Sequence, residues 1–184
     1  DEETEWNRKA KSPLASIKEN YQLGNFVSRQ VFVTDGITQL LNYPKDFTFH
    51  AVIFDFTMAQ ALLGFVAHFN FPPLISISPQ ALPTRLAAAS STQIHPSYIA
   101  HYSTMSTTKS LRENISERFM NAFIYQAFDW FYVRYVYMKN ENRRAARMFP
   151  AMSENKLKLE QLEYSDLVLI NRNFAFDDVL PLVN

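Results

Sequence analysis

Cysteine is absent from the chain, so neither a disulfide framework nor a thiolate metal site can be built from it. Glycine is almost as scarce. Gly24, Gly36 and Gly64 stand far apart, and none belongs to a G-x-G-x-x-G or G-x-x-x-x-G-K loop, which leaves dinucleotide and P-loop functions without a sequence basis. Charge of one sign is lacking too: 18 Lys and Arg balance 18 Asp and Glu, so no net field draws the chain to nucleic acid, and no nucleic-acid partner is expected. No window of about 20 residues is apolar throughout, so no transmembrane helix is expected within the chain. The N-terminus, Asp1 to Trp6, lacks an initiator Met, a basic stretch and the apolar run of a signal peptide, which is the pattern of a processed chain or a fragment.

Two kinds of chemistry are missing as well. The four histidines, His50, His68, His95 and His101, include no pair at i, i+4 spacing and no H-E-x-x-H, so neither a metal nor a resident cofactor is expected. His95 and His101 share one loop and read as solvated. No G-x-S-x-G elbow occurs, and Ser76 and Ser78 fall on a strand without the strained turn that exposes a nucleophile.

What the chain does have is an apolar fraction of 47% over 184 residues, enough for a core of one domain or a large part of one. Its most informative stretch runs from His50 to Ser78. Ala51 to Phe54 is a short continuous apolar run, as expected of a strand covered on both faces in a parallel sheet. Met58, Leu62, Phe65 and Phe69 then stripe one face of a helix that Thr57 is placed to cap. Gly64 allows that helix to approach the sheet, and Pro72 and Pro73 end it near Asn70. Leu74 to Ser78 reads as a second strand. Strand, helix and strand of these lengths predict a βαβ unit and an α/β fold. Asp55 falls at the carboxyl end of the first strand, where open α/β sheets bind their ligands. Taken alone it is either a helix-end carboxylate held by backbone N–H groups or half of an acid–base pair whose partner the chain does not supply.

Elsewhere the first 25 residues are charged and weakly periodic, interrupted by Pro13 and Gly24. Residues 26–41 suggest a helix through Val31, Val33, Ile37 and Leu40 or Leu41, and Pro44 and Asp46 mark a loop. After Ser78 a Ser-, Thr-, Ala- and Pro-rich stretch reads as a long connection with short helical pieces, at the sheet edge that carries Asp55. Leu111 to Arg147 is the longest helical pattern. Its aromatics, from Phe119 to Tyr137, occur almost all round the helix and fit a many-sided core helix, the wall of a lipophilic pocket, or a surface resting on a membrane. Arg143, Arg144 and Arg147 read as a solvated helix end or an anionic-ligand site. Beyond Pro150, residues 154–164 form a short amphipathic pattern with Leu157 and Leu162 inward, and Leu167 to Ile170 is a third strand followed by Asn171. Asn114-Ile115-Ser116 is a glycosylation sequon, which makes Asn114 a modification candidate.

The run His50-Ala-Val-Ile-Phe-Asp-Phe, the block Phe71-Pro-Pro-Leu-Ile-Ser-Ile-Ser and, above all, Tyr164-Ser-Asp-Leu-Val-Leu-Ile-Asn-Arg-Asn-Phe resemble the N-terminal half of the UDP-glycosyltransferases, of the membrane-bound animal and insect type. The similarity extends from about Phe26 onward. It implies a Rossmann-like N-terminal half of a GT-B glycosyltransferase, with a parallel sheet flanked by helices, and residues 1–184 as an incomplete acceptor-binding domain. The family's first strand, with its catalytic histidine, would precede Asp1, and the donor domain and membrane tail would follow Asn184. The resemblance further implies a hexosyl- or glucuronosyltransferase of detoxification. It acts on a small lipophilic acceptor with a UDP-sugar as donor substrate, sits at the luminal side of the endoplasmic reticulum membrane, and leaves self-association open. Asp55 matches the aspartate that orients the histidine, and Phe56, Thr57 and Pro79 become acceptor-pocket candidates. The ending Leu180-Pro181-Leu182-Val183-Asn184 departs from the family's usual turn. The alternative is a non-catalytic module that binds a lipophile or a partner on the same half-sheet. A flavodoxin-like protein is disfavoured by the lack of a phosphate-cradling loop.

Overall fold

The computed structural model of the chain describes residues 12–44, 47–79, 84–90, 95–97, 99–101 and 108–171. Asp46, most of the connection after Pro79 and the chain beyond Asn171 lie outside the described residues.

Three parallel strands lie in the order β1-β2-β3, with β1 at Val52–Asp55, β2 at Leu74–Ser78 and β3 at Leu167–Ile170. Val52 stands opposite Leu74 and Asp55 opposite Ile77, while Ile75 pairs with Leu167 and Ser78 with Ile170. The chain is thus α/β, a small parallel sheet flanked by helices.

Residues opposite one another in register share a sheet face. Phe54, Leu74, Ser76 and Ser78 are buried on one face, but on the other Ile53 is 68% exposed, Leu167 49% and Leu169 51%. Strands covered on both faces were expected from their apolar runs. Among the described residues only one face is covered, because the hydrophobic core gathers there around Phe54, Leu74, Leu63, Phe149 and Leu159.

Eight helices occur among the described residues, with residues 115–148 counted as one. They are α1 (Pro13–Val31), α2 (Asp35–Leu41), α3 (Gly64–His68), α4 (Thr84–Ala89), α5 (Thr108–Glu113), α6 (residues 115–148), α7 (Pro150–Glu154) and α8 (Leu159–Leu162). Pro13, expected to interrupt, instead occupies the first turn of α1, where its missing N–H has no cost, and Ser12 caps the helix by accepting from Ala15 N at 3.3 Å. The helix expected over residues 26–41 is divided at Phe32 to Thr34 between α1 and α2.

The crossover helix is shorter than the stripe from Met58 to Phe69 predicts. Ala59 adopts the left-handed conformation (φ 58°, ψ 46°) and directs the chain into a 3₁₀ turn, Gln60–Leu63, before α3 begins. Gly64 does permit a close approach, but to Phe149: a Cβ there would overlap the Phe149 ring.

The long helix α6 opens at Asn114, whose Oδ1 accepts from Ser116 N at 2.9 Å and Glu117 N at 3.3 Å. Two π-helical segments, Phe123–Asp129 and Val133–Tyr137, interrupt its α-helical course. It stops at Phe149, forced to extended backbone by the following Pro150, which then occupies the first turn of α7. α1 packs along α6 and the 3₁₀ turn, and α7 and α8 pack against α3. The expected amphipathic segment over residues 154–164 is realised as the end of α7, a turn, and α8 with Leu162 buried and Leu157 half-buried.

Candidate functional site at the carboxyl edge of the sheet

The strand ends are level at one edge of the sheet. Phe56 N donates to Ile77 O at 3.0 Å and Asn171 N to Ser78 O at 2.9 Å, so Asp55 to Thr57, Ser78 and Pro79, and Ile170 and Asn171 form a common rim. Asn171 Nδ2 also reaches Pro79 O at 3.4 Å across that rim.

Asp55 is exposed at this edge. Its Oδ1 accepts from Thr57 N at 2.9 Å and from Thr57 Oγ1 at 2.6 Å, which makes residues 55–57 a side-chain-closed turn. Thr57, expected as a helix cap, is therefore turned back onto Asp55. Both bonds fall on one oxygen, and Oδ2 remains an acceptor for a second partner. Of the three acceptor-pocket candidates, Pro79 is exposed and Thr57 half-buried, whereas Phe56 is in the core beneath the Arg85 guanidinium, 5.4 Å from its ring centre. The alternating side-chain direction of the strand carries Phe56 to the covered face and Asp55 to the open one.

The remaining candidates are placed apart from Asp55 by their own contacts. His50 precedes the amino end of β1, at the edge of the sheet opposite Asp55. His68 packs among Phe65, Phe69 and Phe149. His101, expected in solvent, is 1% exposed; its backbone N–H donates to Asn121 Oδ1 at 2.8 Å and its Nε2 lies 3.8 Å from Asp129 Oδ2. Ser76 Oγ and Ser165 Oγ are 2.5 Å apart and buried, a structural pair rather than an exposed nucleophile. Asn114 is exposed but serves as the helix cap of α6. No cluster of three metal-ligating side chains occurs among the described residues, and no helix among them is long and apolar enough to cross a membrane.

Sequence reasoning missed the polar residues that fasten the site's supports. Glu141, 0% exposed, accepts from Ser28 Oγ at 2.5 Å and from Ala61 N at 2.9 Å, and is ion-paired with Arg144. One carboxylate thereby joins α1, α6 and the 3₁₀ turn that follows Asp55. Tyr137 donates its hydroxyl to Gln60 Oε1, and Gln60 Nε2 donates to Phe56 O at 2.8 Å. Burial, reinforced by Glu141, pushes the Tyr137 hydroxyl far above its ordinary titration range. Arg85 is ion-paired with Glu163, and burial lowers its pKa. At the amino end of the sheet, Asp166 Oδ2 accepts from Leu74 N at 2.8 Å, which pins β3 to β2. The one signal available for these residues was a charge within an apolar pattern, as at Glu141 between Tyr137 and Ala145.

The fold and this rim define the chain as an α/β protein with an exposed, turn-held carboxylate at the carboxyl edge of a parallel sheet. No family model, characterised protein or solved structure gave a significant match to the chain.

Proposed function

We propose that the chain is the acceptor-side, N-terminal part of a UDP-glycosyltransferase of the GT-B type. The observation that carries this reading is Asp55, exposed at the carboxyl end of β1 with one oxygen held by Thr57 and the other left to accept. β1 pairs only with β2 among the described residues, and the reading places a further parallel strand on its other edge. A histidine at the carboxyl end of such a strand would lie beside Asp55. The carboxylate would then orient the ring and stabilise the imidazolium, as in other histidine–carboxylate pairs.

In the reaction the histidine takes the proton of the acceptor hydroxyl. The acceptor oxygen forms a bond to the anomeric carbon as the bond from that carbon to the UDP oxygen breaks. UDP leaves with the electron pair, and the configuration inverts. Thr57 and Pro79 lie on the acceptor's side of this rim; Phe56 supports it from below. A small lipophilic alcohol or phenol is the acceptor class, and the UDP-sugar belongs to a second domain. Association of the whole enzyme with the luminal face of the endoplasmic reticulum membrane goes with the same reading.

A second reading is favoured by one observation: the open sheet face carrying Ile53, Leu167 and Leu169 suits a non-catalytic module that binds a lipophile or a partner. The two are separated by assaying the protein extended through its flanking coding sequence with UDP-glucose or UDP-glucuronate and a simple phenol. Transfer with inversion is expected from the extended protein and none from the 184-residue chain alone. Transfer by the short chain, or a retained configuration, refutes the transferase reading. Phenol binding without transfer by the extended protein supports the second.

A further inference from the structure

The long helix α6 carries an outer stripe that the candidate site does not use. Every fourth residue from Ile115 onward is exposed: Ile115, Phe119, Phe123, Ala127, Phe131 and Tyr135 are apolar or aromatic, and Lys139, Arg143 and Arg147 continue the series as cations. Asp129, Val133, Tyr137, Glu141 and Ala145 form the matching buried series. A four-residue repeat drifts by about 40° per step on an α-helix. The two π-helical segments, with their wider turns, offset that drift where the aromatics are densest, and the series stays exposed along its length.

The stripe is neither a core face nor a random scatter of exposed apolar residues. Phe119 is 69% exposed, Phe131 55% and Trp130 51%, and Tyr135 packs on both Trp130 and Phe131 at the surface. Arg134 lies over Trp130, 5.7 Å from its ring centre, and so brings a cation into the aromatic part. Of the charges on α6, Asp129 and Glu141 are buried and Arg144 is paired with Glu141. That leaves Glu117 as the one acid against Arg118, Arg134, Lys139, Arg143 and Arg147.

We propose that this stripe is a docking surface for an anionic lipid bilayer, lying in its interface with the aromatic part inserted and the basic part against lipid phosphates. An aromatic-rich apolar face continued by cations, on a helix that does not cross the membrane, is what such a surface selects. A second copy of the chain is the lesser fit, because two such stripes in contact would bring their cations together wherever they run parallel. The proposal does not rest on the transferase reading, and its test needs neither sugar donor nor acceptor.

The experiment is co-sedimentation of the chain with phosphatidylcholine vesicles made with and without phosphatidylserine. Emission of Trp130 is followed in a Trp6→Phe background with brominated lipid as quencher. Binding to the serine-lipid vesicles, weakened by salt, with blue-shifted and quenched Trp130 emission, is expected. Phe119→Asp with Phe131→Asp should lower partition by at least about tenfold at unchanged helical circular dichroism, since both side chains are already in solvent. Lys139→Glu with Arg143→Glu should abolish the preference for anionic lipid, and Ile53→Asp on the open sheet face should leave binding unchanged. No partition into either vesicle overturns the proposal, as does equal binding by the double phenylalanine variant. A self-associated state that the stripe substitutions dissolve, without vesicle binding, assigns the stripe to contact between copies and likewise overturns it.

Discussion

The three carboxylates Asp55, Glu141 and Asp166 have different roles because their oxygens meet different donors. Asp166 accepts a strand N–H, and Glu141 accepts a hydroxyl and an N–H while paired with Arg144 in the core. Asp55 uses one oxygen on its own turn and keeps the other in solvent. Only the last arrangement leaves a charge available to an incoming group. The buried polar network gives a test at this scale through Tyr137. Its hydroxyl titrates near 10.0 when unfolded and higher when folded, with burial the main cause. The folded state therefore retains the proton longer. Stability from this group is complete below the unfolded value and is lost as pH rises above it. The urea midpoint should fall between about pH 9 and about pH 11, and Tyr137→Phe should reduce that fall while lowering the midpoint at neutral pH. An unchanged alkaline slope in the variant would remove Tyr137 as the cause.

At the scale of elements, α3 meets the junction of α6 and α7 through Gly64 against Phe149, a fully buried ring in the core. Gly64→Ala gains helix propensity but forces a methyl into that ring. The strain should prevail and destabilise by about 1–3 kcal/mol, read as a lower urea midpoint. A midpoint equal to or above wild type would show that Phe149 yields freely. The same elements show what was legible in the sequence. The three strands, the crossover unit and the long helix follow from apolar runs, period changes and prolines, all of which act locally. The short start of the crossover helix was hidden because it depends on Ala59 in a left-handed conformation and on Thr57 bonding to Asp55. His101 was misplaced because its burial comes from Asn121 and Asp129, distant in sequence. The outward stripe on α6 was obscured by aromatics on both its faces, since which of them are buried depends on packing against α1 and the core.

For the whole molecule, a parallel sheet normally has both faces covered, and here the covered face holds the core while Ile53, Leu167 and Leu169 remain open. Asp55 shares the open face with Ile53, Ile77 and Leu169, and among the described residues β1 has a strand partner on one side only. The proposed transferase reading adds a further strand there, with a histidine beside Asp55. The α/β class was legible from residues 50–78 and 164–171, because strand periodicity survives without its neighbours. The site was legible only as Asp55, because the carboxylate's environment depends on groups brought in from elsewhere. The decisive measurement is kcat for sugar transfer by the extended protein, wild type against Asp55→Asn, with the melting temperature of each. The account predicts a loss of about 10²- to 10⁴-fold in kcat with the melting temperature almost unchanged, because the exposed side chain loses charge but little packing. Turnover near wild type in Asp55→Asn would contradict it and reduce Asp55 to the carboxylate of a turn.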